Sequence, residues 1–294
     1  MNDRSRSSKK KIKLSYIVMA VAVVLFTDIP IFYTMTHSMS TDAINNSQAI
    51  FKNVAAMVDA SLEKIDSFIL NLTLDGSIER YLDHSMDMER FAPEDIEHIY
   101  SVQKNLTDII QINQYIDSIY IYNTENDVIL TSSKGVFKGE DFEDNNWLGA
   151  VGAGGLGMYS ARTNASGEQV LTTIRGVPML GIDKKGYIVV NTSIDILNRF
   201  TNTGDVIVLN SEGEVLKATD KADWSLISKI PDSDSGSMKF RGHVVSWYAS
   251  DYADFKYINI ISNGYIVRHL LGALFLSLTV TAAGLVLVLS LIHI

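Results

Sequence analysis

Apolar and polar positions along this chain fall into three patterns: long unbroken apolar runs, one stretch with a helical repeat, and short segments that alternate. Leu14 to Met35 and Leu270 to Val288 are the unbroken runs, the second with 19 residues and no charge. At 1.5 Å of rise per residue, each is about long enough to cross a hydrocarbon core of ~30 Å. They predict membrane helices over residues 14–36 and 264–288. Asp28 and Pro30 interrupt the first run. A charge at mid-depth costs at least ~2.5–3.5 kcal/mol, which places Asp28 toward the outer interface. No small-residue cleavage site follows, so the run reads as an uncleaved helix rather than a signal peptide.

From Thr41 to Leu72 the repeat is helical. Ile44, Phe51, Val58, Ile65 and Leu72 recur every seven residues, with Val54 and Phe68 on a second seam weakened by Ser47 and Ser61. This predicts one long helix over 37–73 that packs on its own domain and on a second copy of the chain. Asp75-Gly76 breaks it, and a further helix is expected from Pro93 to Ile112. Beyond Ile112 the period becomes 2. Ser118–Tyr122 and Val128–Thr131 predict a hairpin, followed by a polar, Gly-rich loop from Lys134 to Gly157 and strands at Gln169–Arg175 and Gly186–Thr192. Ser193–Phe200 reads as a short exit helix. A second strand set follows at Val206–Asn210, Val215–Ala218, Ser237–Ala249 and Phe255–Ser262.

Charge orients this arrangement. Residues 1–13 carry six Lys/Arg and one Asp, whereas His37 to Asn263 carries 32 Asp/Glu and 18 Lys/Arg. Basic residues beside an apolar run mark the cytoplasmic side, so 37–263 is expected outside and both ends inside. The acidic surface opposes direct contact with nucleic acid. With no cysteine, disulfides, thiolate metal sites and cysteine nucleophiles are excluded. Gly152 to Gly157 spells G-x-G-x-x-G but lacks the preceding strand and following helix that a dinucleotide needs. Asp141, Glu143 and Asp144 lack calcium-loop spacing and read as a solvated acidic loop. No histidine pair or G-x-S-x-G elbow is present, so no catalytic residues, metal or cofactor are expected. The last six residues, 289–294, are what a transposase adapter used in sequencing libraries encodes in frame, and are expected to be read-through from a gene that continues.

Several segments carry a family resemblance: IDSIYIYNTENDVILTSS, GYIVVNTSIDILNRF, DVIVLNSEGEVLKA and FKYINIISNGYIVRHLLG. Together with the order of elements they resemble the double Cache, PAS-like sensor regions of bacterial receptors. The resemblance implies an α+β fold: two transmembrane helices flank a long N-terminal helix and two tandem antiparallel-sheet domains. The domains would be membrane-distal at 74–200 and membrane-proximal at 201–263. It further implies ligand sensing outside a bacterial cell membrane, with homodimerisation. The output would be a sensor histidine kinase or, alternatively, an AraC-type regulator. A tethered binding protein without output is the other reading.

In such sensors the distal domain holds the ligand under a loop. Members that bind amino acids or amines tend to have an Arg followed by Trp-Tyr in that loop and an Asp on the last strand. Here those positions are Asn145, Trp147, Leu148 and Asn191. Without that Arg no fork for a carboxylate is expected, and without the Asp no counter-charge for an ammonium. Trp147, Tyr159, Asn191, Arg175, Tyr120 and Tyr122 are the expected ligand residues. Their aromatic, amide and guanidinium groups suit a sugar, a small peptide or another small molecule.

Overall fold

The computed structural model describes residues 2–84, 90–152, 159–180, 183–202, 205–219 and 224–262, with isolated positions elsewhere. The backbone of 14–36 is helical, but most of its side chains, nearly all of 264–288 and all of 289–294 lie outside the described residues. Among the described residues, no helix is long and apolar enough to cross a membrane. The chain forms two compact units. One comprises Met1–Ile50, Ser237–Val245 and Ile260–Ile294, the other Phe51–Gly236 and Ser246–Asn259. In the first, Ile44, Val244 and Ile261 form a small buried cluster. The second holds everything that positions the site.

The helical repeat emerges as α1, Asn2–Thr73. Within the second unit Phe51, Val58, Ile65 and Leu72 are all buried, joined by Ala55, Leu62 and Ile69. The seven-residue seam is therefore filled by the chain's own core. Asp75-Gly76 does more than stop this helix. The Asp75 carboxylate accepts from the Ser77 N–H at 2.7 Å, capping a helix that the sequence reading lacked, α2 (Gly76–Asp83). Next, α3 (Pro93–Ile112) starts with Pro at its first turn, where a missing N–H costs nothing. The Asp95 carboxylate accepts from the Ala92 N–H at 2.5 Å, and α3 buries Val102 and Leu106.

Six antiparallel strands follow: β1 (Ile116–Asn123), β2 (Val128–Thr131), β3 (Gly135–Lys138), β4 (Ser160–Thr163), β5 (Gln169–Val177) and β6 (Gly186–Ser193). A short helix, α4 (Leu148–Gly152), lies between β3 and β4. The strand order is β3-β2-β1-β6-β5-β4. Alternation puts successive side chains on opposite faces. Ile119, Ile121, Leu130, Leu171, Ile188 and Val190 join the core with α1, while Tyr120, Ile129, Ile174 and Val189 form the other face with Phe142 and Trp147. The expected loop at 134–157 thus contains a strand and a helix, and its residues 153–158 lie outside the described residues.

A 3-10 helix, Ile194–Asn202, leads to a five-stranded sheet of β7 (Asp205–Asn210), β8 (Val215–Ala218), β9 (Ser235–Phe240), β10 (His243–Ala249) and β11 (Phe255–Ser262). Its order is β8-β7-β11-β10-β9. The single long strand expected at Ser237–Ala249 is instead two strands. Arg241 and Gly242 between them have φ of 47° and 77°, the left-handed pair that two-residue hairpin turns require.

Candidate functional site

A cavity of about 420 Å³ lies against the six-stranded sheet, on the face turned away from α1. Ser118 and Tyr120 of β1 and Thr131 of β2 bring polar atoms to it, and Phe137 and Phe142 supply ring walls. The volume falls in the range of small-molecule sites.

Beside the cavity stands a buried network that no sequence motif announces. Arg162 on β4 grips Asp144 with both terminal nitrogens, at 2.6 and 2.8 Å. Its Nε donates to Thr172 Oγ1 at 2.7 Å, and a terminal nitrogen donates to Asn191 Oδ1 at 2.8 Å. The Thr172 hydroxyl also donates to Asn191 Oδ1, and Asn191 Nδ2 donates to Ser118 Oγ at 2.9 Å. The Tyr120 hydroxyl donates to Asp144 at 3.0 Å, as does the Ala165 N–H at 3.2 Å. The Asp144 and Arg162 side chains are 5% and 12% exposed. Burial raises the Asp144 pKa, but the hydrogen bonds and charge of Arg162 outweigh it and hold the carboxyl below its usual range. Burial pushes the Tyr120 hydroxyl up to about 12, so it stays protonated and able to donate at neutral pH.

Of the six residues singled out from the sequence, Tyr120 lies on the cavity wall. Asn191 reaches it through Ser118, with its amide oxygen and nitrogen both engaged. Trp147 stands behind the wall, 1% exposed, stacked on Tyr120 at 6.2 Å and edge-on to Tyr122 at 5.9 Å. Its indole N–H finds no protein partner. Tyr122 belongs to the same aromatic layer and donates to Asp127 at 3.0 Å. Tyr159 and Arg175 lie on the opposite side of the sheet. The Tyr159 hydroxyl donates to the Leu62 carbonyl at 2.6 Å, and Arg175 pairs with Asp66 at 3.0 Å, both on α1.

One acidic-loop expectation is corrected here. Asp144 is buried and paired rather than solvated, and the guanidinium beside the cavity is that of Arg162 on β4. The missed signal is the charged residue at the centre of Ser160–Thr163.

The fold has known counterparts. No protein-family model matches the sequence, and no curated protein matches it. The ligand-binding domain of the Campylobacter jejuni chemoreceptor Tlp3, solved with 4-methylisoleucine, aligns at a TM-score of 0.56 and 16% identity, over 78% of this chain and 94% of its own. The likeness is one of fold. An extracellular domain assigned to the histidine kinase vpHK1S-Z8 aligns at 0.58 and 9% identity, over 78% and 98% of the two chains. A domain of a sensory box/GGDEF family protein from Vibrio parahaemolyticus aligns at 0.56 and 10%, over 79% and 99%.

Proposed function

We propose that this chain is the extracytoplasmic ligand-sensing region of a bacterial membrane receptor, and that the cavity beside Arg162 and Asp144 receives the ligand. The observation that carries the reading is a small-molecule-sized cavity on a sheet whose fold matches ligand-binding sensory domains. The apolar runs at 14–36 and 264–288 would anchor it, with 37–263 outside. A histidine kinase output draws support from neighbours assigned to such kinases; an AraC-type output draws none from them. The seam at Phe51, Val58 and Ile65 is occupied by the chain's own core. Dimerisation would therefore use the exposed side of α1 around Met57 and the half-buried Phe68.

Charge narrows the ligand. Asp117, Asp141, Glu143 and Glu168 face the cavity together with one ammonium, Lys134, which lies 4.0 Å from Glu143. Arg162 is already saturated by Asp144, Asn146, Asn191 and Thr172, so a ligand carboxylate finds no free fork. The rings of Tyr120, Phe137 and Phe142 among the lining are of the kind that attracts an ammonium. A small amine or amine-bearing molecule therefore fits better than an acid, its counter-charge coming from these carboxylates rather than from the strand position of Asn191. Thermal unfolding of the full chain in nanodiscs, scanned with putrescine, choline, neutral sugars and dicarboxylates, tests this. Ligands that bind only the folded state raise the midpoint. Stabilisation by an amine that disappears in Asp141→Asn/Glu168→Gln supports the reading. Stabilisation by dicarboxylates alone overturns the ligand class.

A further inference from the structure

Two carboxylates of α1, Asp59 and Asp66, stand one heptad apart and belong to neither the cavity nor the apolar core pattern. Asp59 is 7% exposed. A buried carboxylate is costly unless hydrogen bonds replace its water. Three donors do so: Ser250 Oγ at 2.6 Å, the Asp251 N–H at 3.1 Å and the Tyr257 hydroxyl at 2.8 Å. All three come from β11 or from the connection that enters it. Burial, and then the Asp59 charge, raise the Tyr257 hydroxyl pKa well above its usual value, so it remains a donor.

Asp66, two turns along, meets Arg175 of β5 at 3.0 Å. Burial, and then the nearby Asp66 carboxylate, push the Tyr252 hydroxyl up to about 12. Tyr252 lies in that same connection, and its N–H donates to Ser250 Oγ at 3.2 Å. Ser250 Oγ also accepts from the Ala253 N–H at 2.9 Å, which draws the connection into one compact turn. One short turn thus holds Asp59, while Asp66, one heptad along the same helix, holds β5.

The distal end of this chain of contacts touches the sensing face. Arg175 follows Ile174, which packs in the aromatic layer with Trp147, and lies three residues after Thr172, which donates to Asn191. Strand alternation makes β5 a two-sided element: site residues on one face, the tie to α1 on the other. The proximal end is Tyr257, in the middle of β11, the strand that ends at Ser262 just before the second apolar run.

We propose that Asp59 and Asp66 are positioning residues that couple β5 of the sensing sheet to β11 through α1 and the turn at Ser250–Ala253. This coupling is a property of the apo chain, so its test needs no ligand and is independent of the ligand assignment. Hydrogen–deuterium exchange on the full chain in nanodiscs reads it. Arg175→Met should raise exchange across residues 255–261 about threefold or more, although that strand contains no substituted residue. Arg175→Lys should restore most of the protection. In an Asp59→Asn background, Arg175→Met should add little to the exchange of β11. Lys185→Met, just before β6, breaks an ion pair with Asp83 of α2 and serves as the control; it should leave β11 unchanged. If Arg175→Met prevents folding, Tyr252→Phe removes only one hydroxyl and should raise β11 exchange about twofold. Exchange changes confined to β5, or an equal rise with and without Asp59, would overturn the coupling.

Discussion

Arg162 and Asp144 show how one pair can decide the order of a site. Removing one partner of a buried ion pair leaves an uncompensated charge, at a cost of about 3–5 kcal/mol. Arg162→Met is therefore expected to destabilise the six-stranded sheet by that order, read as a lower urea midpoint. Acid should act on the same contact. The Asp144 carboxyl sits below its ordinary range when folded, so its stabilising share is complete above the unfolded value of about 3.9. That share is lost as the pH falls through the lower, folded value. Between pH 7 and 3, Asp144→Asn should lose less stability than the natural chain while starting from a lower level at pH 7. A wild-type slope in the variant would show that the pair carries no such linkage. Trp147 belongs to the same scale. It is fully buried, stacked on Tyr120 and edge-on to Tyr122, so Trp147→Ala should cost about 3–5 kcal/mol through cavity formation. Any loss of ligand binding in that variant must be measured below its melting range.

Among elements, α1 carries the sharpest contrast. Val58 is wholly buried and Met57, its neighbour in sequence, is 54% exposed. Val58→Asp places an unpaired charge in the core and should unfold the domain, whereas Met57→Asp should keep the stability of a single chain within about 0.5 kcal/mol and weaken the proposed assembly. Single cysteines read the proposed assembly on the same helix. Met57→Cys and Ser61→Cys should crosslink between chains, and Val58→Cys should not. Efficient crosslinking at Val58 would mean that the core described here opens in the dimer. The hairpin β1–β2 was legible because Asn123 does what turn residues do. Its side-chain oxygen accepts from the Glu125 and Asn126 N–H groups, and its amide nitrogen donates to the Leu82 carbonyl. The turn at Arg241-Gly242 was less legible, because Arg is a rare occupant of the left-handed region and hides the signal that its Gly carries.

For the whole molecule, the proposed topology puts 37–263 outside the membrane and both ends inside. Protease added to intact cells should digest the central region and spare an amino-terminal tag; loss of the tag would refute the placement. The acidic balance of that region has a kinetic counterpart. A cationic ligand should associate faster at low salt than at 0.5 M, where the screening length falls to a few Å, and a neutral sugar should show no such dependence.

Composition, apolar runs and the change of period from 3.6 to 2 were enough to determine an α+β chain with a long helix followed by two strand sets, because these signals are local. The absence of cysteine excluded whole chemistries without any structure. What the tertiary structure decided was which face each polar residue serves. Tyr159 and Arg175 look like site residues in a list of aromatic and basic positions, yet the register of β4 and β5 turns them toward α1. Asp144 and Arg162 are 18 residues apart in sequence and meet only because the loop after β3 folds back over β4. A heptad seam reads the same whether a second chain or the chain's own sheet fills it; only packing in three dimensions distinguishes them, since burial depends on neighbours that one-dimensional spacing does not contain.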